Sequence, residues 1–303
     1  HHEGMMLAIA FESVVKLVAF LAVGGFITYG IFDGFADLAE RIEARPPPLD
    51  GVGNSTAAYF TAVVLSAVVI FTLPRQFHAA VVEAANPRDV RVARWLFPLF
   101  LLGMSVFVWP VAVAGLLFFG PDGVDPDTYM MTLPMAAGRP DMALLAFIGG
   151  FSAGTSMVIV ATVALGIMIC NDVIMPLLLR WRGWTLSRRQ DLSGLVLWIR
   201  RGAITLILLA GYGYYRLTAE YAALAASGTL AFAAVAQFAP AVVGGLYWQR
   251  ASKRGALIGL SVGFALWGYT LLLPMLASAQ LVSKELLRSE EHTSELQSLA
   301  YLV

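Results

Sequence analysis

Apolar residues in this chain come in long runs separated by short polar stretches. The runs at 5–32, 57–80, 95–119, 142–170, 195–215, 225–247 and 255–277 predict seven helices. Most reach the ~20 residues needed to cross ~30 Å of hydrocarbon. The pattern predicts an all-α polytopic membrane protein. Between the first two runs, ADLAERIEARPPPLDGVGNST (36–56) is polar and carries three consecutive prolines, which predicts a loop. The acidic, Pro- and Gly-rich stretch 120–141 predicts a second loop on the same side.

Composition supports the compartment. Of the 303 residues 59% are hydrophobic and 13% charged, against roughly a quarter charged in soluble domains. The charges also alternate. Arg75, Arg88, Arg91 and Arg94, then Arg180, Arg182, Arg188, Arg189, Arg200 and Arg201, then Arg250, Lys253 and Arg254 fall together on alternate connections. The opposite connections hold only Arg41, Arg45, Arg139 and Arg216, with nine Asp and Glu residues between Asp33 and Asp141. Basic loops face the cytoplasm, so the His1 end is expected inside. The lone Cys170 excludes a disulfide framework and a Cys-based metal cluster. No phosphate-cradling glycine loop and no basic stripe for nucleic acid is present. The four histidines and the absence of a nucleophile–base pair speak against an enzyme. The lipid bilayer is the expected partner, and nucleic acid is not.

Polar groups inside membrane spans are costly and therefore candidates for function. In AFESVVKLVAF, Glu12 and Lys16 stand at i,i+4 with the acid first, the favourable order for a pair. They read either as a self-neutralised pair or as the lining of a cytoplasmic ion exit path. In FTLPRQFHAAVVE, Pro74 frees a carbonyl near Ile70, and Arg75, Gln76 and His78 follow within a turn. Broken helices are where transporters expose backbone groups; an ordinary juxtamembrane turn is the alternative. Trp109-Pro110 predicts a further kink. In FSAGTSMVIV, Ser152, Thr155 and Ser156 share one helix face after Gly149 and Gly150. The hydroxyls suit a partly dehydrated Na⁺; bonding to local carbonyls or bridging between helices is the alternative. The same span ends in Asn171-Asp172, a cytoplasmic boundary or gate. Gly255, Gly259 and Gly263 recur at every fourth position and signal close helix packing.

These segments together resemble the sodium:solute symporter family. FAPAVVGGLYWQRASKRGALIGLSVGFALW is similar to that family's late helix pair, with its Trp, basic hairpin and repeated glycines. LPRQFHAAVVEAANPRDVRVARW and the opening HHEGMMLAIAFESVVKLVAFLAVG resemble the symporter-like membrane domains that precede hybrid sensor histidine kinases in bacteria. The resemblance covers residues 1–280. It implies a partial inverted-repeat, leucine-transporter-like fold in a bacterial inner membrane, with core helices five to ten and one following helix in this chain. It implies one half of a sodium site at Thr155 and Ser156, with Ser152 as a further ligand, and the register also permits Ser156 with Met157. It implies substrate or gate roles for Arg75, Gln76 and His78. Ser13, rather than Glu12, aligns with an acidic position on the family's fifth core helix, so the resemblance does not itself carry Glu12; Glu12, Ser13 and Asp172 are the residues read as a possible ion exit path. Na⁺ is the implied coupling ion, and no cofactor is implied.

RSEEHTSELQS (288–298) resembles the translation of a sequencing adapter. The expected organisation is therefore a symporter-like transmembrane domain over 1–287 and an artefactual tail over 288–303, within an internal fragment of a longer chain. Two functions follow from the resemblance. One is Na⁺-coupled uptake of a small organic solute, such as an amino acid or other carboxylate, by alternating access. The other is solute sensing for a cytoplasmic kinase domain of the parent chain, with or without transport. A stand-alone symporter is the third form.

Overall fold

A computed structural model describes residues 2–44, 56–82, 86–120, 123–180, 193–218 and 224–278. In chain order the helices are α1 (His2–Phe26), α2 (Phe35–Ala44), α3 (Thr56–Thr72), α4 (Pro74–Phe77), α5 (Pro87–Ser105), α6 (Val108–Phe119) and α7 (Tyr129–Ala136). They continue as α8 (Pro140–Met168), α9 (Met175–Arg180), α10 (Ser193–Thr218), α11 (Leu224–Ala236), α12 (Ala239–Tyr247), α13 (Lys253–Trp267) and α14 (Leu273–Ser278). Wider π-type turns extend α1, α4, α8 and α13. Among the described residues there is no strand.

Six stretches are long and apolar enough to cross a bilayer: Leu7–Ile31, Arg88–Phe119, Pro140–Leu178, Gly194–Leu217, Ser227–Tyr247 and Lys253–Ala277. The architecture is multi-pass and helical. Their outer faces remain apolar, with Phe11, Leu102, Trp198, Leu246 and Tyr247 all exposed. On a water-soluble protein such a surface would drive association; against lipid it is the matching solvent.

Seven spans were expected and six reach that length. The difference lies at 57–80, where Pro74 has no N–H to continue the helix. Leu73 goes extended (φ −65°, ψ 122°), as residues before proline tend to, and α3 stops at Thr72. The helix restarts at α4, whose Gln76 and Phe77 N–H groups donate to the Leu73 carbonyl at 3.0 and 2.9 Å. Trp109-Pro110 lies at a similar interruption: α5 ends at Ser105, and Phe107 precedes α6 with φ −101° and ψ 3°.

The chain divides into two compact units, His1–Asp50 with Ala84–Val160, and Gly51–Glu83 with Ala161–Val303. The first has a defined core of Val23, Ile27, Phe32, Leu38, Val111, Val113, Ala114, Tyr129 and Leu133. Two of the core's helices come from segments expected to be loops. Within 36–56, Leu38 is buried and Ile42, four residues on, packs against the same cluster, making α2 amphipathic. Within 120–141, Tyr129 and Leu133 do the same for α7. Gly34, in the connection just before α2, has φ +103°, a conformation that only glycine adopts without cost, and its N–H donates back to the Thr28 carbonyl at 2.9 Å. On α2, the Arg41 guanidinium donates to Asp37 at 2.6 Å, and the Asp33 N–H donates to the same carboxylate at 3.1 Å. The Arg41 bond first, then the Asp33 bond, hold the Asp37 carboxyl below its ordinary value.

In the second unit α3 packs on α11 and α12, and α11 and α12 pack on α13. The Trp267 indole N–H donates to the Leu230 carbonyl at 3.1 Å, joining α13 to α11. The absent side chain of Gly263 makes room for Gln237, which accounts for one of the three repeated glycines. Among the described residues a Cβ at Gly259 meets nothing within 4 Å and one at Gly255 only the Ser252 hydroxyl, so these two mark no helix contact there. The Ser252 hydroxyl caps α13 by accepting from the Gly255 N–H at 3.1 Å. Arg200 and Arg201, counted above with a basic connection, lie about two turns inside α10. The tail 288–303 lies outside the described residues, as does most of the Pro-rich stretch.

Candidate functional site

The hydroxyl row sits in the first unit, on α8. Residues three and four apart on a helix share a face, and the interruptions of α8's apolar surface fall on that face. Ser152 donates across to the Glu12 carbonyl of α1 at 3.1 Å. Thr155 shares its proton between the Phe151 and Ser152 carbonyls, at 2.9 and 3.1 Å. Ser156 is buried and donates to the Ala153 carbonyl at 3.2 Å. Each hydroxyl has one proton and two acceptor lone pairs, and all three protons go to backbone carbonyls. What remains on this face is acceptor capacity. That is the chemistry a hard monovalent cation needs, and the same bonds also meet the alternative of local satisfaction plus one interhelical bridge.

The close approach of α1 and α8 has a visible cause. A methyl added at Gly149 would lie 2.5 Å from the Ala19 Cβ, so only glycine lets the helices meet there. That contact places Glu12 opposite Ser152. The expected Glu12–Lys16 pair is not formed. One Glu12 carboxylate oxygen is buried without a hydrogen-bond partner, and the Lys16 ammonium lies over the Phe100 ring of α5, 5.5 Å from its centroid. The spacing permitted a pair, but an aromatic face on a neighbouring helix competes for the cation. Ser13 donates to the Ile9 carbonyl on its own helix at 2.8 Å.

The other candidates belong to the second unit. Arg75, Gln76 and His78 follow the break at Leu73, all half-buried. The His78 N–H closes onto the Arg75 and Pro74 carbonyls as the helix widens into a π-type turn. Asp172 lies exposed in the π-type turn Ile169–Ile174 that extends α8. The structure thus brings Glu12 and Ser152 to one helix contact, leaves Ser13 bonded within α1, and gathers Arg75, Gln76 and His78 at one helix restart. Sequence reasoning passed over Lys16 as part of a pair and Phe100 altogether; neither has a sequence signal, because the contact between them is tertiary.

No protein-family model, curated protein or solved structure matches the chain. The class that the structure defines is a multi-pass helical membrane protein.

Proposed function

We propose that the chain is part of a transmembrane transporter domain, sodium:solute symporter-like, that couples uptake of a small organic solute to Na⁺ by alternating access. The observation that carries this reading is the hydroxyl row of α8. Ser152, Thr155 and Ser156 have given their protons to carbonyls and present lone pairs on one face of an otherwise apolar helix. The broken helix at Leu73–Pro74 supports it, because the Ile70 carbonyl loses its usual partner just before Arg75, Gln76 and His78. In this reading Arg75 attracts the solute's carboxylate, Gln76 and His78 gate it, and Glu12 and Ser13 belong to the ion's exit. The charge asymmetry supports a cytoplasmic His1 end in a bacterial inner membrane. The membrane domain would serve as the sensory or transport module of a histidine kinase.

The test begins at the genomic locus, read upstream of codon 1 and through codon 288, followed by expression of the whole reading frame in proteoliposomes. Solute uptake driven by an inward Na⁺ gradient and abolished by Thr155→Ala is expected. Solute-dependent autophosphorylation without uptake would favour the pure sensor. Neither activity, across amino acids and organic acids, would remove the proposal.

A further inference from the structure

The first unit contains a half-open cavity of about 490 Å³ between α1, α5, α7 and α8. Small-molecule sites span ~300–1,000 Å³ and combine apolar walls with a few placed polar groups. Here the walls include Phe20, Phe147 and Phe151, together with Met104 and Met130. Phe147 and Phe151 stack with centroids 6.2 Å apart, so they present adjoining ring faces. Met side chains adapt to irregular ligands and contact aromatic rings favourably.

The cavity's cation is Lys16, which stands nine residues into the apolar span that begins at Leu7. At 1.5 Å per residue this is about 14 Å from the start of the span. Among the described residues no carboxylate pairs with it, and its ammonium rests over Phe100, one helical turn from the lining Met104. A cation at that depth that forms no ion pair, although Glu12 lies one turn before it, is an expensive arrangement that a bound anion would relieve. The other charged lining residue, Asp127, is solvent-exposed in the connection between α6 and α7. It disfavours a ligand with a second negative charge.

We infer that this cavity is a binding site for an amphipathic organic monoanion, an aryl- or alkyl-carboxylate, whose carboxylate meets the Lys16 ammonium and whose apolar body lies among Phe20, Phe147 and Phe151. Binding here requires no transport, so the inference goes beyond the sodium-coupled reading and is judged apart from it.

The probe is radiolabelled 4-phenylbutyrate, bound to the full chain in phosphatidylcholine nanodiscs and read by scintillation proximity. Lys16→Gln should weaken binding about tenfold or more, while Lys16→Arg keeps it within a few-fold, because both cations make charge-assisted bonds to a carboxylate. Gly150 lines the same cavity, and a Cβ added there meets nothing within 4 Å. Gly150→Leu therefore fills the space without straining the helices and should abolish binding. The neutral 4-phenylbutyramide should compete poorly. Equal binding by acid and amide, or by wild type and Lys16→Gln, would overturn the assignment of an anion. Unchanged binding in Gly150→Leu would overturn the assignment of the cavity. Phosphatidylglycerol added to the disc should leave binding intact; if it displaces the probe, a lipid headgroup holds Lys16 and the free-solute form fails. A variant that no longer elutes as the wild type does is replaced by Lys16→Arg and by the amide comparison, which need no loss of charge.

Discussion

Exchanging one methyl between α1 and α8 tests whether their close approach is set by Gly149. In Gly149→Ala the new methyl would lie 2.5 Å from the Ala19 Cβ, and the next atoms, the Ala19 and Lys16 Cα, lie at 3.9 and 4.0 Å. Carbon atoms pack best at about 3.5–4.0 Å, so the shortfall is about 1 Å, and it comes from a single, inflexible atom. Overpacking of this kind costs about 1–3 kcal/mol, against a gain of about 1 kcal/mol for replacing glycine within a helix. The single variant should therefore lose up to about 2 kcal/mol. Ala19 is 1% exposed, and Ala19→Gly loses about 1 kcal/mol of helix propensity and about 0.8 kcal/mol of methyl burial. In the double variant the methyl has changed helices but occupies the same space. The clash is gone, the propensities cancel, and stability should return to within about 0.5 kcal/mol of wild type. Steric trapping in bicelles or reversible unfolding in mixed micelles measures all four corners of the cycle. If the two changes add, with the double variant the least stable of the four, the helices are not held at this distance by Gly149 and the argument for Ser152 facing Glu12 loses its footing.

Three further outcomes follow from the same geometry. Ser152→Ala removes a bond between helices and should cost roughly 0.6 kcal/mol and at most about 1.7, whereas Thr155→Ala, whose bonds stay within α8, should leave thermal stability unchanged; equal losses would contradict that division. Pro74→Ala restores a donor for the Ile70 carbonyl, so α3 should run on into α4, and the amide at 74 should become protected in hydrogen exchange, with continued rapid exchange arguing for another cause of the break. The Asp37 carboxyl is held below its ordinary value chiefly by Arg41, so its stabilising effect is present above the unfolded value of ~3.9 and disappears as pH falls through the lower folded value. Asp37→Asn should flatten the fall in melting temperature below about pH 4; an unchanged acid limb would place the titration elsewhere.

The membrane spans were legible because a run of about 20 apolar residues has few other uses. The break at Pro74 was legible too, since a missing N–H acts locally. Its effect on span length was not, as it depended on Leu73 turning extended. The loops were misread for a specific reason. In 36–56 three prolines and many charges outweighed the i,i+4 placement of Leu38 and Ile42, yet that spacing was the signal for α2. Tyr129 and Leu133 repeat it in α7. Lys16 marks the boundary of what sequence can settle. Its spacing from Glu12 allowed a pair, and only packing against α5 decides that Phe100 wins. The hydroxyls of α8 were found as a row, but that Ser152 alone reaches a second helix depended on Gly149 meeting Ala19.

The core of the first unit also constrains how the protein is made. Val23 and Ile27 come from the end of α1, Val113 and Ala114 from α6, but Leu38, Tyr129 and Leu133 arrive on α2 and α7, the two connecting segments. Apolar helices are stable singly in a bilayer before they associate, whereas α2 and α7, at 10 and 8 residues, are too short to span one. Their order therefore comes from burying Leu38, Tyr129 and Leu133 against the longer helices. The cluster closes only when both connecting segments have folded onto it, and a chain cut before residue 133 lacks part of that core.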